Sequence, residues 1–318
     1  LLVPLYTAKL SAASGGYGVI TNVYAYVALL LVILTYGMET TFFRFANKEG
    51  EDPQRVYSTI LAMVGTTSLL FVALVLTFIT PISSFMGYGD HPSYIWVMAV
   101  TVAVDAFACI PFAYLRYKKR PMKFAILKLA NIMMAILLNL FFFLLLPAWT
   151  GDGGLVDAGY AFYINLFCSV ALLFFLLKEI TAVPFDFDKA LLRRMLSYSW
   201  PILVLGVAGI LNQTADKILF PYIYQGTDAH SQLGIYGAAS KIAMIMAMIT
   251  QAFRYAYEPF VFGNNNDKDS RNTYAKAMKF FIIFTLLAFL VVMAYIDLLK
   301  YIIGRDYWEG LKVVPVVM

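Results

Sequence analysis

The chain has 318 residues, of which 61% are hydrophobic and only 14% are charged, whereas an ordinary soluble domain has about 25% charged residues. With a mean hydropathy of +0.75, this composition excludes a typical soluble globular protein and predicts an all-α polytopic membrane protein. The net charge of +5 predicts contact with anionic membrane lipids and not with nucleic acid, because the cations lie in the loops between apolar runs.

Apolar runs long enough to cross a hydrocarbon core of about 30 Å recur along the whole chain. The chain starts without Met and stops within an apolar run, so we expect it to be truncated at both ends relative to a longer protein. The runs predict the end of a first span through Tyr6, eight complete spans at 18–45, 56–86, 94–115, 124–147, 156–177, 200–223, 233–262 and 277–299, and a tenth span beginning near Leu311.

Basic residues are concentrated in alternate loops, which predicts the orientation of the spans. The loop between spans 4 and 5 carries Arg116, Lys118, Lys119, Arg120 and Lys123, whereas the loops "MGYGDHP" and "PAWTGDGG" carry no Lys or Arg. The positive-inside rule therefore places the basic loops in the cytoplasm. In one of them, "DFDKALLRRMLSYSW" predicts a short amphipathic helix on the cytoplasmic surface.

A weak internal repeat predicts two lobes with the same orientation. Pro4 and Pro221 are 217 positions apart, as are Gly87 and Gly304, and the hydropathy profile repeats with them. Six spans separate each pair, so the two halves would be parallel and related by an axis along the membrane normal, as in alternating-access transporters. We expect an N-terminal lobe at 1–183 with spans 1 to 6, and an incomplete C-terminal lobe at 184–318 with spans 7 to 10.

Ionisable residues inside the predicted spans are the main functional signal, because a charge at the bilayer centre costs about 3 kcal/mol on insertion scales unless it faces a partner or water. They favour a water-filled cavity between the helices. These residues are Glu39, Asp105, Lys128, Asp216, Lys217, Lys241, Arg254 and Glu258.

Several of these residues also have structural interpretations. Arg254 and Glu258 are four positions apart on one helix, where they can neutralise each other or bind a ligand. Asp216 and Lys217 are adjacent and about 100° apart around a helix, so we expect them to need separate partners. Lys241 has no acidic residue three or four positions away, which favours a ligand-binding role.

Lys128 can bind a ligand or extend to the membrane surface, and Asp105 can be a coupling site, a protonated acid or the partner of another helix. Glu39 lies about 140° around the helix from Arg44, so the two do not share a face. We expect Glu39 to face inward, where it pairs with Arg254 as a gate, binds a coupling cation, or forms a static bridge.

Four stretches resemble the polysaccharide-transporter branch of the multidrug/oligosaccharidyl-lipid/polysaccharide flippase superfamily. They are "YGVITNVYAYVALLLVILTYGMETTFFRFANKE", "RYKKRPMKFAILKLANI", "LNQTADKILF" and "LGIYGAASKIAMIMAMITQAFRYAYEPFVF". The resemblance implies two parallel six-helix lobes and an inner-membrane flippase for a lipid-linked oligosaccharide, such as an undecaprenyl-pyrophosphate unit of O-antigen, lipopolysaccharide or capsule.

The implied substrate suits the cations of the spans, since Lys and Arg bind phosphate as point charges or as a fork. Lys128, Lys217, Lys241 and Arg254 are expected to bind the substrate, with Arg116 and Arg120 at the cytoplasmic opening. Glu39, Asp105, Asp216 and Glu258 are the candidates for gating or for coupling to H⁺ or Na⁺.

We expect no cofactor, metal site or catalytic residue. No glycine-rich loop precedes a Lys-Ser or Lys-Thr pair, and Cys109 and Cys168 lie in apolar runs without nearby metal-binding companions. An ion-coupled multidrug antiporter of the same superfamily is an alternative, although the excess of cations disfavours a cationic drug. A membrane-embedded glycan polymerase is less favoured, because the non-cytoplasmic loops are short and their acids are scattered.

Overall fold

The computed structural model describes residues 2–150, 157–224, 226–263 and 270–318, except for the side chains at 150, 254–263, 270–274 and 277. Within these ranges the chain is helical and contains no strand. The helices are α1 (Val3–Lys9), α2 (Gly16–Thr35), α3 (Met38–Ala46), α4 (Pro53–Thr77), α5 (Ile79–Phe85), α6 (Pro92–Tyr117), α7 (Pro121–Leu140), α8 (Leu146–Thr150), α9 (Gly159–Phe175), α10 (Leu177–Ile180), α11 (Lys189–Ile223), α12 (Ala229–Gly263), α13 (Ser270–Ala294), α14 (Ile296–Leu299) and α15 (Val314–Val317).

In the described part of the chain, six helical segments are long and apolar enough to cross a membrane. They are Gly16–Ala46, Pro53–Thr77, Pro92–Tyr117, Pro121–Trp149, Lys189–Ile223 and Ala229–Phe253, and a seventh is reached if Met278–Ala294 and Ile296–Ile302, bent by 60°, count as one span. Helix α9 is apolar but has 17 residues. These segments confirm the predicted polytopic all-α fold, while a tenth span near Leu311 is represented by a 3₁₀ helix, Arg305–Val313, followed by α15.

The chain divides into two compact units, Leu1–Val19 with Tyr224–Met318, and Ile20–Ile223. The predicted lobes, 1–183 with spans 1 to 6 and 184–318 with spans 7 to 10 and incomplete, stay a prediction.

In the unit Ile20–Ile223, aromatic side chains fill a core at one end of α3, α4, α6 and α11. Phe42 and Tyr57 are fully buried, and the Tyr57 ring stacks on Tyr114 with centroids 4.3 Å apart. Leu191 and Met195 of α11 belong to the same core. Packing against this cluster fixes α3 against α6, the two helices that carry the charged side chains described below.

One expectation about this unit is wrong. The stretch 186–200 was predicted to be a separate surface helix, but residues from Lys189 onward form one continuous 35-residue helix, α11. Leu191 and Met195 are buried in the core cluster instead of facing lipid headgroups. Pro201 does not end the helix, in spite of its missing N–H group.

Two local irregularities shape the helices of this unit. Gly37, at φ 68°, separates α2 from α3 and acts as the N-cap of α3, a left-handed conformation that glycine adopts without steric cost. Phe141–Leu145 form a π-helical turn between α7 and α8. It lies just before Pro147, which has no N–H to donate, and it places Phe143 fully in the interior.

In the other unit, α12 packs against the N-terminal segment and the 3₁₀ helix Arg305–Val313. The buried Tyr307 hydroxyl donates to the Leu10 carbonyl at 2.8 Å, and the Gly304 N–H donates to Thr7 Oγ1 at 2.9 Å. Gly18 lies so close to α12 that a Cβ placed on it would be 1.7 Å from the His230 carbonyl oxygen and 3.0 Å from the Gly234 nitrogen.

Candidate binding site

A polar cavity of 510 Å³ lies among α2, α3, α6, α7 and α9 of the unit Ile20–Ile223. Both acidic and basic side chains line it, which is unusual among membrane-crossing helices, where charge is costly without a partner or water. The ionisable groups with a formal charge at its wall are Glu39, Asp105, Arg116 and Lys128, and the neutral polar ones include Thr35, Asn131, Asn165 and Ser169.

Glu39 reaches this cavity from the first turn of α3, directly after the break at Gly37. One of its carboxylate oxygens, Oε1, lies 2.6 Å from Arg116 Nη2, and the other accepts a hydrogen bond from the Cys109 thiol at 3.1 Å. A carboxylate in the first helical turn is also favoured by the helix dipole. The structure therefore gives Glu39 a charge-assisted partner on α6.

Aromatic rings hold the Arg116 guanidinium at the wall of the cavity. Its central carbon lies 5.3 Å from the ring centroid of Phe43 and 5.5 Å from that of Phe124. The flat faces of a guanidinium are attracted to such rings, whereas its N–H groups point outward from its edge. Arg116 is thus oriented to offer hydrogen bonds along its edge, where Glu39 now accepts one.

Lys128 and Asp105 are the other two charged residues at the wall of the cavity. The Lys128 ammonium lies 4.2 Å from the centroid of the Phe112 ring, and Asp105 and Ser169 line the same cavity. Among the described residues neither charge makes an ion pair at contact distance. Asn131, one turn beyond Lys128, has a buried side-chain oxygen with no hydrogen-bond partner there. Lys128, Asp105 and the Asn131 side-chain oxygen can therefore interact with a ligand in the cavity.

The structure brings together four of the predicted site residues, Glu39, Asp105, Arg116 and Lys128, at one cavity. Arg120 is exposed just before α7 and does not line it. Lys241 is exposed on α12, in the other unit. The side chains of Arg254 and Glu258 lie outside the described residues, so their predicted roles and the Glu39–Arg254 gate stay predictions.

The expectation that Asp216 and Lys217 need separate partners is wrong. Lys217 Nζ lies 3.0 Å from an Asp216 carboxylate oxygen and also donates to the Gln213 carbonyl. The flexible lysine stem spans the 100° between neighbouring positions, which an argument from helix angles alone neglects. The Lys217 carbonyl accepts a hydrogen bond from Asn22 at 2.8 Å.

Sequence reasoning missed four polar residues of the cavity: Thr35, Cys109, Asn165 and Ser169. Cys109 was interpreted as a packing residue, but its thiol donates to Glu39. Asn165 and Ser169 are four positions apart in an otherwise apolar stretch, "INLFCSV". That spacing puts both on one helix face and was the available signal.

Residues of the basic loops also form ion pairs, which a count of the basic residues in each loop cannot predict. Lys123 pairs with the buried carboxylate of Glu179 at 2.5 Å, and Arg55 pairs with Asp186 at 2.8 Å. These cations therefore have structural partners in addition to any role in orienting the chain.

Comparison with known proteins gives the fold and the family. A solved structure described as the inward-facing conformation of a multidrug resistance MATE family transporter of the MOP superfamily matches with a TM-score of 0.70, over 98% of this chain and 74% of that chain. The identity is 15%, so this likeness shows the fold alone. No curated protein sequence matches the chain.

Residues 13–311 match the family model described as "Polysaccharide biosynthesis protein", which covers most of the chain. The membrane-crossing helices and the shared transporter fold agree with that match. The chain therefore belongs to the polysaccharide biosynthesis protein family, and it is an all-α multi-pass membrane protein with the fold of the MATE family structure.

Proposed function

We propose that the chain is a flippase that moves a lipid-linked oligosaccharide, carried on undecaprenyl pyrophosphate, from the cytoplasmic to the periplasmic leaflet of a bacterial inner membrane. Transport would proceed by alternating access and serve the export of a polysaccharide such as lipopolysaccharide O-antigen. The observation that carries the proposal is the charged cavity among membrane-crossing helices of a polysaccharide biosynthesis family member.

The cations of this cavity suit a pyrophosphate headgroup. Arg116 presents an edge of N–H donors, and Lys128 adds a positive charge that no carboxylate contacts directly within the described residues. Phosphate oxygens accept hydrogen bonds from both types of group. Neutral polar side chains, Asn131 and Asn165 among them, can bind sugar hydroxyls at the same wall.

The first prediction tests this role in proteoliposomes that contain a short oligosaccharide on isoprenyl pyrophosphate. Arg116→Ala and Lys128→Ala should each lower the rate at which the glycan becomes accessible to an external lectin by about 10- to 100-fold, the usual effect of losing a charge-assisted hydrogen bond. Lys178→Ala, which removes an exposed cation outside the cavity, is the matched control and should transport normally.

If both cavity variants transport like the control, the cavity does not bind the headgroup. The same vesicles also test the proposal that the chain performs no catalysis, since the recovered glycan should keep the mass of the glycan supplied. A longer glycan would favour the polymerase alternative.

An ion-coupled multidrug antiporter is the second candidate. It is favoured by the two carboxylates of the cavity, Glu39 and Asp105, since a cationic drug prefers acidic partners. Under an imposed pH gradient, vesicles of such an antiporter should accumulate or expel ethidium, and Asp105→Asn should abolish that movement. We expect no ethidium movement, because the two cations balance the two carboxylates.

A further inference from the structure

We infer that Glu39 is an internal counter-anion of Arg116, which an anionic headgroup must displace, so that binding of the headgroup is coupled to uptake of one proton by Glu39. The inference rests on the proposed function and adds to it the means by which the cavity changes its charge.

Glu39 occupies one edge of the Arg116 guanidinium. Glu39 Oε1 lies 2.6 Å from Nη2, and the rings of Phe43 and Phe124 cover the guanidinium on other sides. A phosphate that uses this edge therefore meets the carboxylate at contact distance. The Arg116 and Glu39 side chains are 37% and 38% exposed, so the pair is open to an incoming ligand and is not sealed in the interior.

The formal charges of the cavity residues balance one another. They are two carboxylates, Glu39 and Asp105, and two cations, Arg116 and Lys128, which sum to zero. A phosphate anion in this neutral cavity leaves an excess of negative charge among apolar helices, where charge is poorly solvated. One proton taken from water by the Glu39 carboxylate removes one negative charge and breaks the ion pair with Arg116.

Protonation also changes Glu39 from a competitor into a donor. An ionised carboxylate only accepts hydrogen bonds, whereas a carboxylic acid has one O–H that can donate to a phosphate oxygen. The proton moves from water to the carboxylate, and no covalent bond to the ligand forms or breaks. Arg116 Nη2 is then free to bind the phosphate, while Nε still donates to the Phe112 carbonyl at 3.5 Å.

The other titratable and charged groups of the cavity lie on α6 and α7. From α6 they are Arg116, the Cys109 thiol that donates to Glu39, and Asp105, and from α7 there is Lys128. Helix α9 contributes the neutral residues Asn165, Ser169 and Leu172 to the cavity.

The opposite face of α3 packs on α4 and α11. It carries Phe42 and Phe45, which meet the rings of Tyr57 and Tyr198, and the exposed Arg44 lies over Tyr198. The carboxylate that pairs with Arg116 is that of Glu39 and not that of Asp105, so displacement at Arg116 acts on Glu39.

The second prediction is measured with the purified chain in detergent and farnesyl pyrophosphate as the probe. Titration calorimetry in two buffers of different ionisation enthalpy counts the protons taken up on binding. Glu39→Gln, a neutral isostere, should take up about one proton fewer than the wild type. Above neutral pH, Glu39→Gln should bind the probe at least about tenfold more tightly than the wild type. The reason is that the affinity of a ligand whose binding takes up one proton falls about tenfold for each pH unit.

The comparison cancels the titration of the probe itself, which is common to both proteins. Glu39→Asp keeps the carboxylate and should keep the proton uptake, and it tests the inference if Glu39→Gln proves unstable. Equal proton uptake and equal pH dependence in the wild type and Glu39→Gln would overturn the inference. A sodium requirement that replaces the pH dependence would overturn it as well.

Arg116→Ala separates this inference from the proposed function. If the probe binds, and binding is lost in Arg116→Ala but takes up no proton at Glu39, the inference fails while the proposed headgroup site stands. If binding of the probe to the wild type is absent or independent of Arg116, the headgroup site itself is refuted, and the inference with it.

Discussion

Asp188 shows how one side chain starts the longest helix of the unit Ile20–Ile223. Its carboxylate accepts hydrogen bonds from the Leu191 and Ala190 N–H groups at 3.0 and 2.8 Å, which would otherwise lack intrahelical partners. These bonds, first that from Leu191, hold the pKa of the Asp188 carboxyl below its usual range. The preceding loop is tied to α4, since the Asp186 N–H donates to the Ser58 hydroxyl.

The third prediction follows from that cap. Asp188→Ala should lower the melting temperature of the detergent-solubilised protein at pH 7. A carboxyl with a lowered folded pKa stabilises the protein above its unfolded pKa of about 3.9, and this stabilisation is lost as pH falls through the folded pKa. The difference from wild type should therefore shrink in acid below that range.

Asp188→Asn is the matched control, because Asn is an equally good N-cap. It should melt close to the wild type at pH 7. If Asp188→Ala melts at the wild-type temperature at both pH values, the cap does not contribute to stability.

At the scale of elements, α2 and α12 approach each other closely where two glycines meet. The N-terminal turn of α2 places Gly18 against the backbone of His230 and Gly234. The missing side chain allows this contact, because the nearest atoms are main-chain atoms that cannot rotate away. Gly18 and Gly234 are also close to equivalent positions of the predicted repeat, 216 residues apart.

The fourth prediction compares two glycines on long helices. Gly18→Ala should destabilise the protein by about 1–3 kcal/mol through overpacking, because its Cβ would fall 1.7 Å from the His230 carbonyl oxygen. Gly209→Ala, where no atom of the described residues lies within 4 Å of the new Cβ, should be neutral or stabilise by up to about 1 kcal/mol through helix propensity. Thermal unfolding in detergent measures both, and equal effects would refute the tight contact.

For the whole molecule, hydropathy was sufficient to predict the helices, because about 20 consecutive apolar residues have few other stable forms in a membrane. The resemblance of the sequence to the family was also sufficient to predict the fold. The partners of the charges could not be predicted in the same way. Glu39 and Arg116 are 77 positions apart, and only the packing of α3 on α6 brings them together.

The fifth prediction concerns the orientation of the whole chain. In a background with Cys109 and Cys168 replaced by Ala, a cysteine at Asp90 should react with a membrane-impermeant maleimide in intact cells. A cysteine at Lys178, in a basic loop, should react only after the cells are opened. Both positions are exposed, so burial would not explain protection, and the reverse labelling pattern would contradict the proposed orientation.

The π-helical turn Phe141–Leu145 has a consequence for sequence variation. A π turn contains one residue more than an α turn over a similar rise, and the insertion of one residue into an α-helix would produce such a turn. Loss of a single codon here would be absorbed without breaking the helix, since an α turn would replace the π turn. The segment beyond it would then keep its orientation relative to Lys128 and Asn131, because the α turn makes the same full rotation with one residue fewer, so homologues that differ by one residue in length at this turn would present the same face beside the cavity.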